Sequence, residues 1–155
     1  MWTSEMTLMM WVGVKETLIM TLLSTIFGYL LGLPMGIALA VTDADGIRPN
    51  AVVYKILDVI ANIVRSIPFL ILLMLLMPVT RMIVGKSYGT AATVVPLTIA
   101  AAPFIGRMIE SSINEVDRGV IEAAQSMGAS TMTIIIRVML VEARTSILVG
   151  VTIAL

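Results

Sequence analysis

The sequence contains no cysteine and no histidine among its 155 residues. The missing thiols exclude disulfide bonds and thiol catalysis, and the two absences together exclude the commonest zinc and haem ligand sets. Charge is also scarce, because Asp, Glu, Lys and Arg make up only 13% of the chain and balance to a net charge of zero. This composition offers no basic face for nucleic acid.

Apolar residues are abundant instead, at 59% of the chain with a mean hydropathy of +1.04. A soluble domain is usually about 45–50% apolar and about 25% charged. Leu18–Val41 is free of charge over 24 residues, about 36 Å as a helix, against about 30 Å of hydrocarbon in a bilayer. Ser87–Gly106 is a second uncharged run, and Val59–Thr80 between them carries only Arg65. These continuous runs predict membrane-spanning helices rather than strands.

A fourth run, Thr145–Leu155, has 11 residues, about half the length of a span. A half span would leave backbone carbonyls without hydrogen-bond partners inside the bilayer, so we expect the parent protein to be longer. The sequence therefore predicts an all-α transmembrane bundle forming one domain over residues 1–155. Its predicted spans cover about 14–41, 58–82, 87–110 and an incomplete 142–155, with a long polar loop at 111–141.

The distribution of Lys and Arg predicts the orientation of the spans. The side with the N-terminus and the second connection carries three: Lys15, Arg81 and Lys86. The opposite side carries seven: Arg48, Lys55, Arg65, Arg107, Arg118, Arg137 and Arg144. Basic residues concentrate on the cytoplasmic side, so we expect the N-terminus outside and the loop 111–141 in the cytoplasm.

Five of the six prolines lie in or beside predicted spans: Pro34, Pro68, Pro78, Pro96 and Pro103. Proline bends a helix by removing a backbone donor, and such bends serve either packing or a translocation pathway. Arg65 has two interpretations: it snorkels to the interface, or, with Pro68 and Phe69, it lines the mouth of a pathway. Arg107 and Glu110, three apart, are expected to pair on one helix face.

The loop 111–141 contains the segment Glu122-Ala-Ala-Gln-Ser-Met-Gly-Ala129. Gly128 would end a short helix in the left-handed conformation, and Ser130 or Thr131 would cap the next one. The small residues Ala123, Ala124, Gly128 and Ala129 would let another surface approach the backbone. On residues alone, an ordinary interfacial helix packed on its own bundle is the favoured interpretation.

Glu122-Ala123-Ala124, three residues and then Gly128 resembles the EAA motif of ATP-binding-cassette (ABC) importer permeases. In that family the motif forms coupling helices that dock in a cleft of the ATPase subunit. The resemblance therefore assigns ATPase coupling to Glu122, Ala123, Ala124, Gly128 and Ala129. The family pattern has a proline where this chain has Val141, which bears on the angle at which the last span begins.

A second resemblance, covering nearly the whole chain, is to the permeases of methionine importers. It is carried by Arg65-Ser-Ile-Pro-Phe69, Val95-Pro-Leu-Thr98 and Ala102-Pro-Phe-Ile-Gly-Arg-Met108. It implies the type I importer fold with five spans, of which about three and a half are present here. It also implies a homodimer in the bacterial inner membrane, with two ATPase subunits and an extracytoplasmic substrate-binding protein.

ATP and Mg²⁺ are then expected on the ATPase, with no cofactor, metal or catalytic residue in this chain. Gly85-Lys86-Ser87 imitates the end of a phosphate loop, but Thr80 stands where that motif needs glycine. We therefore expect a non-enzymatic transport subunit that imports methionine or a close amino acid. The alternatives are an ABC permease for another nutrient, such as a polar amino acid or a phosphonate, and a nucleotide-independent secondary transporter. An inert membrane subunit is a third.

Overall fold

The computed structural model describes residues 4–155, and every regular element in this part of the chain is helical. The elements in order are α1 (Ser4–Thr42), α2 (Ala51–Ser66), α3 (Phe69–Val84), α4 (Thr90–Asn114), α5 (Arg118–Ser126), α6 (Thr131–Ile134), a π-helical turn (Ile135–Met139), α7 (Leu140–Glu142) and α8 (Arg144–Ala154). The predicted all-α class is confirmed. The predicted domain also includes residues 1–3, which lie outside the described residues.

Two helices, α1 and α4, are each long and apolar enough to cross a membrane. Helix α1 begins ten residues before the predicted 14, because the isolated charges Lys15 and Glu16 do not interrupt a helix. Helix α4 begins later than the predicted 87, because Gly89 has a φ of 100°, which is not helical. It then runs past the predicted 110 to Asn114.

The structure divides the predicted span 58–82 into two helices, α2 and α3, which are bent by 111° at the break between them. Pro68 has no N–H and disfavours helix at the residue before it, and Ile67 is extended with φ −83° and ψ 124°. Helix α2 also starts earlier, where the Asn50 side chain accepts hydrogen bonds from the N–H groups of Val52 and Val53. Together the pair is long enough for a third span.

Helices α1 and α4 pack side by side and point in the same direction, since Gly28 faces Ala101 and Gly36 faces Ile109. The contact is close because α1 presents a glycine at every fourth position: Gly28, Gly32 and Gly36. A Cβ atom at Gly36 would lie 2.5 Å from the carbonyl oxygen of Gly106. This small-residue packing is typical of helix pairs in membranes.

The buried core extends from this helix pair into the segment that follows α4. Its buried members are Ala40, Ile105, Ile109, Ile113, Ala124, Ile134, Met139 and Ala143. Because these residues come from α1, α4, α5, α6, the π turn and the residue preceding α8, one apolar cluster joins the polar loop to the longest helices.

Candidate functional site: the α5–α6 elbow

Helix α5 is set off from α4 by a capped start. Its N-cap is Asp117, whose carboxylate accepts a hydrogen bond from the N–H of Gly119 at 2.6 Å. A carboxylate at this position also complements the positive end of the helix dipole. The chain therefore leaves α4 at Asn114 and starts a new short helix within four residues.

Helix α5 ends in a Schellman motif, as expected from Gly128. This residue has a φ of 78°, its N–H donates to Gln125 at 2.9 Å, and the N–H of Ala129 donates to Ala124 at 3.1 Å. Those two hydrogen bonds satisfy carbonyls at the end of the helix that would otherwise lack partners. The turn is therefore well defined although it lies at the surface.

Ser130 caps the next helix, which confirms one of the two predicted capping residues. Its hydroxyl accepts from the N–H of Thr133 at 3.3 Å and pairs with the Thr133 hydroxyl at 2.8 Å. Helix α6 lasts one turn and becomes a π turn, with the N–H of Leu140 donating to Ile135. A π turn is a frequent feature of functional sites and was not foreseen from the sequence.

We call residues 117–134 the elbow. It has an inner and an outer side. Ala124 is 5% exposed and Ala129 packs on the same apolar cluster, so these two predicted residues form the inner side. Glu122, Ala123 and Gly128 are exposed, and a Cβ atom built on Gly128 meets nothing within 4 Å. The structure thus divides the five predicted coupling residues between a packed base and a free outer surface.

A cleft of about 320 Å³ separates the elbow from the connection between α1 and α2. Its polar lining includes Asp43 and Asp45 on one wall and Glu122 and Gln125 on the other. Arg118 reaches across to Asp45 at 3.1 Å, but both side chains are more than half exposed. An exposed pair of this kind contributes little stability, so the apolar base holds the elbow in place.

The predicted mouth residues Arg65, Pro68 and Phe69 lie together at the break between α2 and α3. All three are exposed, and Arg65 forms no salt bridge with the described residues. These three residues lie in the α2–α3 connection, whereas the coupling residues lie in the elbow. The structure does not bring the two predicted sites together.

The predicted pair of Arg107 and Glu110 is confirmed, with a distance of 2.9 Å. The structure adds two residues of α2 that the sequence analysis missed: Asp58 also pairs with Arg107, and Tyr54 donates to Glu110 at 3.1 Å. The available signal was the spacing of Tyr54, Asp58 and Asn62, which places three polar side chains on one face of α2.

Comparison with known proteins identifies related sequences. The family model for the inner membrane component of binding-protein-dependent transport systems matches residues 32–155. The D-methionine transport system permease protein MetI of Yersinia pestis is 50% identical over 150 residues, which cover 95% of this chain and 69% of that protein. MetI of Escherichia coli K12 is 49% identical with the same coverage.

A solved structure of the MetNI methionine ABC transporter in inward facing conformations matches with a TM-score of 0.96. It is 46% identical and covers 99% of this chain and 71% of that chain. An amino acid ABC transporter crystallised with histidines matches with a TM-score of 0.68 at 22% identity, which supports the fold alone.

Proposed function

The chain belongs to the family of binding-protein-dependent transport system inner membrane components, and we propose that it is the permease subunit of an ABC importer for methionine or a close amino acid. The choice of cargo is supported by relatives named as D-methionine permeases, which this chain matches along 95% of its length. Thirteen methionines in the sequence add nothing to this choice, because methionine also serves as flexible apolar filling.

The observation that carries the coupling role is the geometry of the elbow. Its outer side exposes Glu122, Ala123 and Gly128 with open space beside the glycine, while its inner side is fastened to the core. A partner can therefore approach the backbone of the elbow closely. Because the inner side of the elbow is packed on the apolar cluster, the elbow can transmit a displacement to the helices. We propose that this partner is the ATPase subunit, which binds ATP and Mg²⁺ and performs the hydrolysis.

The proposed orientation places the elbow in the cytoplasm and the N-terminus outside. It is supported by the seven basic residues on the elbow side against three on the other. Because α1 and α4 point in the same direction, their C-terminal ends lie on the same side as the elbow. The protein is then a multi-pass component of the bacterial inner membrane.

The complete importer is proposed to contain two copies of this permease, two ATPase subunits and an extracytoplasmic substrate-binding protein. Closure of the ATPase dimer would move the two elbows together. Ala124 and Ile134 would carry that movement through Ile113 into α4 and, through Ala40, into α1. The spans would then change from an inward-facing to an outward-facing arrangement.

The residues at the α2–α3 break are proposed to lie at the mouth of the pathway. Pro68 interrupts the helix there, and interrupted helices in transporters commonly border the substrate route. Arg65 and Phe69 flank this interruption and are exposed within the single chain.

The test is to replace Gly128 by tryptophan in the complete complex reconstituted with its ATPase and binding protein. We expect methionine uptake per ATP hydrolysed to fall about tenfold or more, because the bulky side chain fills the space that the ATPase cleft needs. Uptake of labelled methionine and phosphate release are measured in the same vesicles.

The matched control is Gly85→Trp. Gly85 has a φ of 77°, and a Cβ atom built on it also meets nothing within 4 Å, but it lies in the connection between α3 and α4. It therefore reproduces the backbone strain without touching the elbow. Normal uptake by Gly128→Trp, or equal losses in both variants, would contradict docking at this site. Uptake of another nutrient instead of methionine would contradict only the cargo.

A further inference from the structure

Arg107 bridges two helices through a half-buried polar network. Its guanidinium pairs with Asp58 on α2 and, at 2.9 Å, with Glu110 on its own helix α4. The network continues on α2, where Asn62 donates to Asp58 at 3.1 Å and Tyr54 donates to Glu110 at 3.1 Å. The side chain of Glu110 is only 9% exposed.

Placing several ionised side chains between helices of a membrane protein costs desolvation free energy. Ionisable residues in transmembrane segments are rare and are commonly functional. The planar guanidinium suits this position because its several N–H groups can serve two carboxylates at once. Without the cation, Asp58 and Glu110 would leave two negative charges between the helices.

The bridge lies between the elbow and the broken helix. On α4, Ile109 and Ile113 follow Arg107 closely and belong to the cluster that includes Ala124 of the elbow. On α2, Asp58 lies two turns before the helix ends at Ser66 and the chain bends by 111°.

Helix α2 has little apolar attachment of its own. Ala61 is its only residue, among those described, that is fully buried. Its apolar side is exposed at Val52, Ile56, Val59, Ile60 and Ile63. The polar bridge therefore links α2 to α4 beyond the few apolar contacts between them, while the start of α2 is held to α1 through the short connection.

We propose that Arg107 is a positioning residue of the transport cycle, which fastens α2 to α4 through Asp58 so that α2 moves together with the elbow. The movement is then taken up at the Ile67–Pro68 break, where α3 begins. This inference rests on the proposed function, since it assigns the movement to the nucleotide-driven cycle of an importer.

The experiment measures the distance between α2 and α4 with spin labels at Ile56→Cys and Ser111→Cys, two exposed positions in a chain without cysteine. The complete complex is assembled with one labelled permease copy and studied with and without ATP. With the bridge intact, we expect one narrow distance that nucleotide does not change.

Two single variants separate the bridge from simple loss of charge. Asp58→Asn removes the carboxylate on α2, whereas Glu110→Gln removes the one on α4, and each leaves Arg107 with one carboxylate. Asp58→Asn removes the salt bridge between the helices, whereas Glu110→Gln retains it and leaves an amide oxygen that can still accept from Tyr54. We expect its distance distribution to widen and shift on ATP addition, and its methionine uptake per ATP to fall roughly fivefold or more. Glu110→Gln is expected to keep the narrow distance.

The swap Asp58→Arg with Arg107→Asp keeps one cation and two carboxylates and is expected to restore the fixed distance. A narrow, nucleotide-independent distance in Asp58→Asn would overturn the proposal, as would a folded swap variant whose α2–α4 distance distribution stays wide.

The distance measurement needs no methionine, so it is independent of the cargo. A complex that takes up no methionine but shows these distances would refute the cargo alone, and normal uptake with an unchanged Asp58→Asn would refute the bridge alone.

Discussion

Glycines serve opposite purposes in two regions of this molecule. Along α1, Gly32 and Gly36 are needed because a Cβ atom there would lie 2.8 Å and 2.5 Å, respectively, from a backbone oxygen of α4. At the elbow, Gly128 has nothing within 4 Å and is needed because its φ of 78° belongs to the left-handed region. The first set is a requirement of packing, and the second is a requirement of backbone conformation.

The proposed coupling role agrees with this difference, because the chain is closely packed between α1 and α4 and open at the elbow. The stripe on α1 brings two long backbones close enough to behave as one unit, because van der Waals packing is what holds helices together in lipid. The elbow leaves its glycine uncovered, so the proposed partner would meet the backbone rather than a side chain. Substitutions in the two regions should therefore fail in different ways.

The largest effect is expected for Gly36→Leu. A Cβ atom there would lie 2.5 Å from the carbonyl oxygen of Gly106 and 2.7 Å from the Cβ of Ile109, and a backbone atom cannot turn away. Overpacking in a well-packed interior typically costs about 1–3 kcal/mol, and a backbone clash belongs at or above the upper end. We expect loss of the folded permease, measured as the fraction of monodisperse complex in detergent.

Gly13→Leu is the control, because Gly13 lies on the same helix and has nothing within 4 Å. It should assemble normally. If Gly36→Leu assembled as well as this control, the close approach of α1 and α4 would not be a requirement of the fold.

Sequence reasoning recovered the features whose cause is local. The end of α5 just before Gly128 depends on a few adjacent residues and was predicted correctly. The cap at Ser130 is likewise local and was one of two predicted alternatives. The break at Pro68 was anticipated only as a bend, because the sequence does not say whether neighbouring helices hold the two halves in line. The link between Asp58 and Arg107 joins residues 49 apart, and no local pattern encodes that pairing.

The glycine stripe on α1 was missed for a different reason. Its spacing of four is a recognised signal for close helix contact, but it does not reveal which helix is contacted. The partner, α4, offers its own small residues Ala101, Ala102 and Gly106, and their register with α1 exists only in three dimensions.

An intermediate effect is expected for Gly128→Val. The left-handed conformation costs a residue with a Cβ roughly 1–2 kcal/mol, and a β-branched residue is at the unfavourable end. Gly128→Asn should lose much less, because asparagine tolerates this conformation. Both variants should still assemble, since no atom lies in the way. Denaturant titration of the purified complex measures the difference, and equal stabilities would show that the turn does not depend on its positive φ.

The smallest effect is expected for Gly28→Ala, where the cost of steric overlap and the gain in helix propensity nearly cancel. The new Cβ would lie 2.9 Å from Cδ1 of Ile105, the far end of a flexible side chain, and 3.2 Å from Cβ of Ala101. Alanine in place of glycine favours a helix by about 1 kcal/mol, which offsets part of this overlap. We expect a net change within about 1 kcal/mol in the free energy of unfolding.

A double-mutant cycle with Ile105→Val tests this contact. Ile105→Val alone should cost about 0.5–1.5 kcal/mol. Because it removes Cδ1, the double variant should be more stable than the sum of the two single changes predicts. Strict additivity in this double-mutant cycle would mean that Gly28 and Ile105 do not meet, and that the stripe is a matter of helix composition rather than of contact with α4.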